Sequence, residues 1–302
     1  MSHKDSMRDG VLLLIVLIGL ATVVCLSRWL DSHRAPVDAK LEEEQLYLNG
    51  ATARRISLGF NGLAADWYWM RSLQYVGRKI IGVPENVQLD SLGQLNLKLL
   101  APLIDTATTL DPQFMELYQY AAVVLPDIDL QQAIRITKKG IAANPSAWRL
   151  YQHLGYIYWQ QGDFQAAGEA YDQGSKLPGA PAWMEAMKAK MAAEGGTRNL
   201  AREIYERMYD QAGDNQVKEM ARRRLLQLES LDQREGLRKV LSAYRSKAGR
   251  CPSSWGEIGS MLALRLNRDS AGAPLDPSGT AYVLVSSNCD VALDPKSEVP
   301  VK

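Results

Sequence analysis

The sequence has few of the residues from which metal and catalytic centres are usually built. Its 302 residues include only three histidines and three cysteines. The histidines, His3, His33 and His153, are scattered without the spacing of metal ligands. Nucleophile-elbow, phosphate-loop, dinucleotide-binding and paired-cysteine metal motifs are also missing from the sequence. We therefore predict that the protein is not an enzyme and that it uses no cofactor and no metal.

An excess of charge of one sign is also missing. The chain carries 35 basic and 34 acidic residues, for a net charge of +1. Its densest basic run, at residues 222–224, is flanked by Glu219 and Glu229, a pattern typical of a solvated helix face. This balance argues against electrostatic binding of nucleic acid, so we predict no nucleic-acid partner.

One long uncharged run stands near the start of the chain. Residues 11–27 read VLLLIVLIGLATVVCLS, and Trp29 and Leu30 extend the run to about 20 residues. At about 1.5 Å per residue, a helix of this length spans about 30 Å, the thickness of a hydrocarbon core. The sequence predicts a tail at 1–10 and a transmembrane anchor at 11–30 that contacts the lipid bilayer. A cleaved signal peptide is the main alternative, although no A-x-A-like cleavage site follows.

The cysteines bear on the orientation of this anchor. Positive charges on its two sides are nearly balanced, so the positive-inside rule does not decide the orientation. Cys251 and Cys289 are the only cysteines outside the anchor, and both lie in the last 52 residues. They could form a disulfide, which requires an oxidising compartment, or remain two buried thiols. We expect a single-pass protein of the inner (cytoplasmic) membrane with its body in the periplasm.

A repeat with a period of 34 runs through the middle of the chain. Alanine recurs at 133, 167 and 201, and a larger residue follows four positions later as Thr137, Tyr171 and Tyr205. Glycine recurs at 140 and 174, and again at 162 and 196. A fixed period of this size indicates stacked supersecondary units, in which small residues let two helices approach closely.

Residues 148–181 are the clearest unit, and they resemble a tetratricopeptide repeat (TPR). The segment reads WRLYQHLGYIYWQQGDFQAAGEAYDQGSKLPGAP. The matching positions are Tyr151, Leu154, Gly155, Tyr158, Gly162, Asp163, Phe164, Ala167, Tyr171, Gly174 and Pro178. The neighbouring units at 114–147 and 182–215 keep part of this pattern. The resemblance implies an α-solenoid of helical hairpins that binds other proteins.

The resemblance also implies a binding surface. Repeats of this family receive protein partners on a concave surface lined by their first helices. Seven residues fall at the corresponding positions: Tyr118, Arg149, Gln152, Tyr156, Trp159, Trp183 and Lys190. Four of the seven are aromatic, and aromatic anchors dominate binding energies at interfaces. The alternative is that these side chains pack between hairpins or against flanking helices.

The flanking segments are predicted from composition. Residues 31–90 form a helical linker with an aromatic-rich helix at 63–79, and residues 91–248 form the TPR-like array. A helix at 91–110 could pair with the aromatic-rich helix as an early hairpin with a long connection. Two closing helices are expected at 216–231 and 232–248.

The last segment, residues 249–302, changes character and predicts a small α+β cap. Glycine, proline and serine increase, and a β-like run appears at 281–286. The strings AYRSKAGRCPSSWGEI and PLDPSGTAYVL resemble the C-terminal part of a type II secretion pseudopilin. The matching residues are Tyr244, Gly249, Pro252, Asp276, Pro277, Gly279 and Tyr282. The acidic calcium loop of that family is not evident, so no metal is implied.

Together these features predict a mainly α protein with a transmembrane helix, a TPR-like solenoid and a small cap. The expected function is a membrane-anchored scaffold that mediates protein–protein interactions in a cell-envelope assembly related to a pilus, a secretion system or a transporter. The alternative is an envelope enzyme, or its accessory subunit, with a pocket near Asp66. A deep cleft at Asp66 would favour the enzyme, and an open groove would favour the scaffold.

Overall fold

The computed structural model describes residues 3–33, 48–84, 90–262 and 266–301. The predicted mainly α class is confirmed, since these residues form eleven α-helices and one small sheet. The helices are α1 (His3–His33), α2 (Gly50–Ile56), α3 (Asn61–Ile81), α4 (Leu100–Leu110), α5 (Met115–Val124), α6 (Leu130–Ala143), α7 (Trp148–Gln160), α8 (Phe164–Ser175), α9 (Trp183–Glu194), α10 (Arg198–Gln211) and α11 (Asn215–Ala248). Strands β1 (Val283–Val285) and β2 (Asp290–Ala292) pair antiparallel.

Helix α1 contains the long apolar run. Its side chains from Leu14 to Leu30 are exposed. Among the residues that the structure describes, no helix combines enough length with enough apolar character to cross a membrane. The transmembrane anchor predicted for residues 11–30 stays a prediction.

Helices α3 to α11 form a stack in which each helix packs on the next. Contacts also join α5 to α7 and α9 to α11, so neighbouring hairpins touch through alternate helices. Helices α3 and α4 pair across a long connection, as an early hairpin would require. This pattern is compatible with a helical repeat fold, because each hairpin buries its apolar side against the next.

The repeat period is visible in the core of this stack. Ala133, Ala167 and Ala201 are all fully buried. A Cβ at Gly140 would lie 2.7 Å from the Tyr118 ring and 3.1 Å from Leu150 Cδ1. At Gly174 it would lie 2.8 Å from Tyr151 Cβ and 2.5 Å from Met184 Cε. Leu150 and Met184 are themselves one repeat period apart, so the same close approach of three helices recurs in both units.

The turns inside the hairpins repeat as well. Gly162 and Gly196 follow α7 and α9 with φ of 76° and 86°, a region that favours glycine. The amide of Asp163 donates to the Tyr158 carbonyl, and the amide of Thr197 donates to the Ala192 carbonyl. The Asp163 carboxylate then caps α8 by accepting from the amide of Ala166. The two turns therefore share one geometry and are separated by one repeat period.

Helix α11 corrects the expectation of two closing helices at 216–231 and 232–248. It is one continuous helix of 34 residues. No proline interrupts it, and the left-handed residue that ends it is Gly249, with φ of 69°. Its first half packs on α9 and α10 through Ala221 and Leu228, while its second half contributes Leu237 and Leu241 to the cap.

The C-terminal cap is built around the second half of α11. Trp255, Tyr282 and Val291 join Leu237 and Leu241 in one buried cluster. The Tyr282 hydroxyl reaches Ser230 Oγ at 3.0 Å and Gln233 Oε1 at 2.9 Å on the same helix. A disulfide joins Cys251 to Cys289, with a Cα–Cα distance of 5.3 Å. The cap is therefore fixed to the array through a helix that belongs to both.

Candidate partner-binding surface

The first helices of successive hairpins are α5, α7 and α9, and the first half of α11 continues the series. Tyr156 on α7, Lys190 on α9 and Arg224 on α11 follow one another at the repeat period. Contacts connect them, because Trp159 reaches from α7 to Lys190, while Lys190 and Arg224 line one cavity. The three helices therefore present a continuous surface with Lys190 at its middle.

An aromatic and charged cluster lies at the centre of this surface. Lys190 Nζ lies 4.1 Å from the centre of the Trp159 ring, and the Trp159 indole donates to Glu194 Oε2 at 2.6 Å. Glu194 Oε1 is 3.7 Å from Lys190 Nζ. The Tyr156 ring meets Trp159 edge to face at 5.8 Å. A cation–π contact and a hydrogen bond to a carboxylate thus fix the orientation of the indole.

A cavity of about 420 Å³ opens beside this cluster, between α9, α10 and α11. Its lining residues are Lys190, Ala193, Glu194, Arg198, Tyr205, Arg224, Gln227, Leu228 and Leu231. Arg198 donates to Glu235 at 2.7 Å and to Asp232 at 2.9 Å, and these bonds raise the pKa of its guanidinium. The lining therefore combines apolar side chains such as Leu228 and Leu231 with both basic and acidic groups.

A second aromatic cluster joins the beginnings of α7 and α9. The rings of Trp148 and Trp183 meet edge to face at 6.2 Å, and the guanidinium of Arg149 lies 4.5 Å from the Trp148 ring centre. Trp183 is 41% exposed. Arg149 and Trp183 are one repeat period apart, like Tyr156 and Lys190. The two clusters lie one after the other along the same pair of helices.

Tyr118 corrects the predicted groove. It is fully buried, its ring packs against Gly140, and its hydroxyl donates to the Thr108 carbonyl at 3.4 Å. Burial raises the pKa of Tyr118 to about 12. Helix α4 covers this position, so Tyr118 contributes to the core and is not available to a partner.

Five of the other six predicted groove residues lie in the two aromatic clusters. The structure brings Tyr156, Trp159 and Lys190 together in the central cluster, and Arg149 and Trp183 in the second cluster. Gln152 is half-buried on α7. Trp159 also packs against the buried cluster around Ala167 and Met191, so its indole serves the core as well as the surface.

Two residues of the surface were missed by sequence reasoning. Glu194 fixes the indole of Trp159, and Arg224 carries the surface onto α11. The repeat period could have indicated Arg224, because it continues the series from Tyr156 through Lys190. Glu194 gave no such signal, since its role depends on the rotamer of a tryptophan on another helix.

Asp66, the residue behind the enzymatic alternative, lies on the exposed side of α3. The alternative depended on a carboxylate held in a pocket, and the exposed position of Asp66 does not meet that condition. Within the described ranges, no group of three or more histidine, cysteine, aspartate or glutamate residues could hold a metal ion.

Comparison with known proteins assigns no family. No protein-family model matches the chain, and no curated protein matches its sequence. The repeat period and the stacking of helices α3 to α11 therefore rest on the sequence and the contacts of this chain itself.

Proposed function

We propose that this protein is a TPR-like scaffold, tethered to a membrane, that holds a segment of a protein partner on the surface of α7, α9 and α11. The repeat period, the repeated close approach at Gly140 and Gly174, and the repeated turns all support a solenoid of hairpins. In such solenoids the first helices line the concave side, and both aromatic clusters of this chain lie on the first helices α7 and α9.

The observation that carries the proposal is the cluster of Trp159, Lys190 and Glu194. Its indole is held by two contacts and lies next to a cavity lined by apolar and charged side chains. Rigid aromatic groups beside a cavity are typical of residues that dominate interface energies. Lys190 and Arg198 already form ion pairs within the chain, whereas Arg224 donates to Gln227. Arg224 beside the apolar lining therefore favours a partner segment that presents an apolar side chain next to an acidic group.

Membrane attachment is part of the same proposal. The uncharged run at 11–27 has exposed side chains wherever they are described, and a large exposed apolar surface typically marks contact with lipid or protein. The Cys251–Cys289 disulfide supports a body outside the cytoplasm, since such bonds persist in oxidising compartments. We propose an inner-membrane protein whose array and cap lie in the periplasm.

The cap suggests the setting of the assembly. Its resemblance to a pseudopilin includes a long helix that ends at Gly249, followed by Pro252 and a loop around Asp276. The buried Asp276 carboxylate accepts hydrogen bonds from the amides of Ser278 and Thr280. These features favour a pilus or secretion machine over a transporter.

Photo-crosslinking in native membranes tests the scaffold. A photoreactive phenylalanine analogue in place of Tyr156 or Trp183 should yield a discrete protein adduct, because both side chains are exposed on the proposed surface. The matched control carries the analogue in place of Gln173, which is exposed on the second helix α8. Adducts of equal yield from Gln173, or no protein adduct from Tyr156 and Trp183, would overturn the proposed surface.

A further inference from the structure

A second apolar face, separate from the groove, lies on α2, α3 and the turn between them. Leu63, Trp67 and Met70 are exposed and spaced as one helical stripe, and Ile81 continues it. Ile56, Leu58 and Phe60 extend the face across the turn that precedes α3. Leu63 is 71% exposed and Ile81 is 84% exposed, so these side chains are not part of the core.

The opposite side of α3 already holds this helix in the fold. Ala65, Tyr68, Ser72, Tyr75 and Val76 are buried, and α3 packs on α4. Helix α3 is therefore apolar on two sides, only one of which the array uses. A large exposed apolar patch of this kind typically marks an interaction surface.

Charge around the face indicates what covers it. Residues 50–82 contain four exposed or half-exposed arginines, Arg54, Arg55, Arg71 and Arg78, and one acidic side chain, Asp66. Their fifth basic residue, Lys79, lies over the ring of Tyr75 on the buried side of α3. The guanidinium of Arg71 lies 5.6 Å from the centre of the Trp67 ring. An apolar stripe with tryptophan and a basic border is the pattern of a helix that lies in the interface of an anionic bilayer.

The position of the face in the chain agrees with this occupant. Only residues 34–47 separate the end of α1 from the residues that precede α2. Fully extended, that connection spans at most about 50 Å. A membrane that receives the apolar run of α1 is therefore within reach of α2 and α3.

We propose that the α2–α3 face binds the surface of an anionic lipid bilayer, with Leu63, Trp67 and Met70 inserted below the headgroups. This inference extends the proposed membrane attachment, on which it rests, and is independent of the groove. It fixes the orientation of the array, because α3 packs on α4 at one end of the stack.

Fluorescence quenching on the full-length protein in vesicles tests the proposal. An environment-sensitive dye is attached after Leu63→Cys or Met70→Cys in a Cys25→Ser background, and Gln173→Cys is the matched control. Cys25→Ser alone must take up no dye, since Cys251 and Cys289 are bonded. The vesicles contain phosphatidylglycerol and a lipid with a nitroxide high on its acyl chain.

The expected result is loss of fluorescence and a blue shift at positions 63 and 70, but not at 173. Replacing phosphatidylglycerol by phosphatidylcholine should reduce the loss. Equal access of aqueous iodide to all three positions would overturn the proposal. Protection of positions 63 and 70 from both iodide and the nitroxide lipid would also overturn it, by indicating that a second copy of the chain covers the face.

The same dye, attached to Cys25 of the unaltered chain, reports whether α1 enters the bilayer. This measurement distinguishes insertion of α1 from binding of the α2–α3 face. Cys25 is exposed in the apolar run of α1. Quenching at Cys25 without quenching at 63 and 70 would sustain the tether and reject the α2–α3 face. Quenching at 63 and 70 without quenching at Cys25 would sustain the face and reject insertion of α1.

Discussion

The helical array and the C-terminal cap are stabilised in different ways. In the array, small residues recur at the repeat period and let helices approach closely, as at Gly140 and Gly174. In the cap, short segments surround one end of α11 and are joined by a disulfide and by two carboxylates, Glu257 and Asp276. A periodic stack distributes its stability over many similar contacts, whereas a small cap depends on a few covalent and polar contacts.

The largest difference between the two regions should follow removal of the disulfide. Replacing both Cys251 and Cys289 by serine should cost the cap about 2–5 kcal/mol, because the unfolded segment gains conformational freedom. Amide hydrogen exchange should accelerate at Val291 and Tyr282, while Ala133 and Ala167 keep their protection. Cys25→Ser is the control. Unchanged hydrogen exchange in the cap would show that its apolar core keeps it folded without the disulfide.

Two glycine substitutions test the array. A Cβ at Gly155 would lie 2.8 Å from the Tyr171 ring, whereas a Cβ at Gly168 would lie 3.6 Å from Met191 Cβ, an ordinary contact. Gly155→Ala should therefore lower the free energy of unfolding by about 1–3 kcal/mol. Gly168→Ala should raise it by about 0.5–1 kcal/mol. Denaturant titration measures both, and equal effects would contradict the close packing of α7 on α8.

Acid should affect the cap through Glu257. Bonds donated by Ser253, Tyr244 and Arg250 lower the pKa of this carboxyl from 4.5 to about 2. Because the folded pKa is depressed, Glu257 contributes its stability above pH 4.5 and loses it as the pH falls towards 2. The cap of Glu257→Gln should therefore show a flatter pH dependence in this range. Glu116→Gln, on the exposed side of α5, should leave the cap profile unchanged.

The smallest effect on stability is expected at the centre of the groove. Tyr156 is 45% exposed, so Tyr156→Ala should change the free energy of unfolding by no more than about 0.5 kcal/mol. Tyr171→Ala removes the same side chain from the core and should cost about 3–5 kcal/mol, as for other large aromatic truncations. The yield of crosslinked partner can be measured with the photoreactive analogue in place of Trp183. Adding Tyr156→Ala to that variant should reduce this yield. A large loss of stability would make Tyr156 a core residue.

The two regions also differ in how much of them the sequence predicts. The small residues at 133, 167 and 201 identified the array because close packing of helices requires them at a fixed spacing. The repeat did not predict the burial of Tyr118, although Tyr118 stands one repeat period before the half-buried Gln152. In the first unit, helix α4 packs over this position. Because α4 lies outside the repeat, the sequence of the repeat does not indicate that it covers Tyr118.

The join between the regions could not be predicted from composition. Two closing helices were expected at 216–231 and 232–248, yet α11 is continuous. Continuity is decided by tertiary contacts on both halves, including Tyr282 from the cap bonded to Ser230. Glu194 was missed for the same kind of reason, since a hydrogen bond between α7 and α9 fixes its role.

The unbroken α11 has a mechanical consequence. A helix of 34 residues is about 51 Å long, and α11 runs without a break from Asn215 to Ala248. Arg224 and Leu228, in the first half of the helix, line the cavity of the proposed groove, while Leu237 and Leu241, in its second half, pack into the cap. A displacement of the cap would therefore be transmitted along α11 to the proposed groove, because both regions pack on one continuous helix.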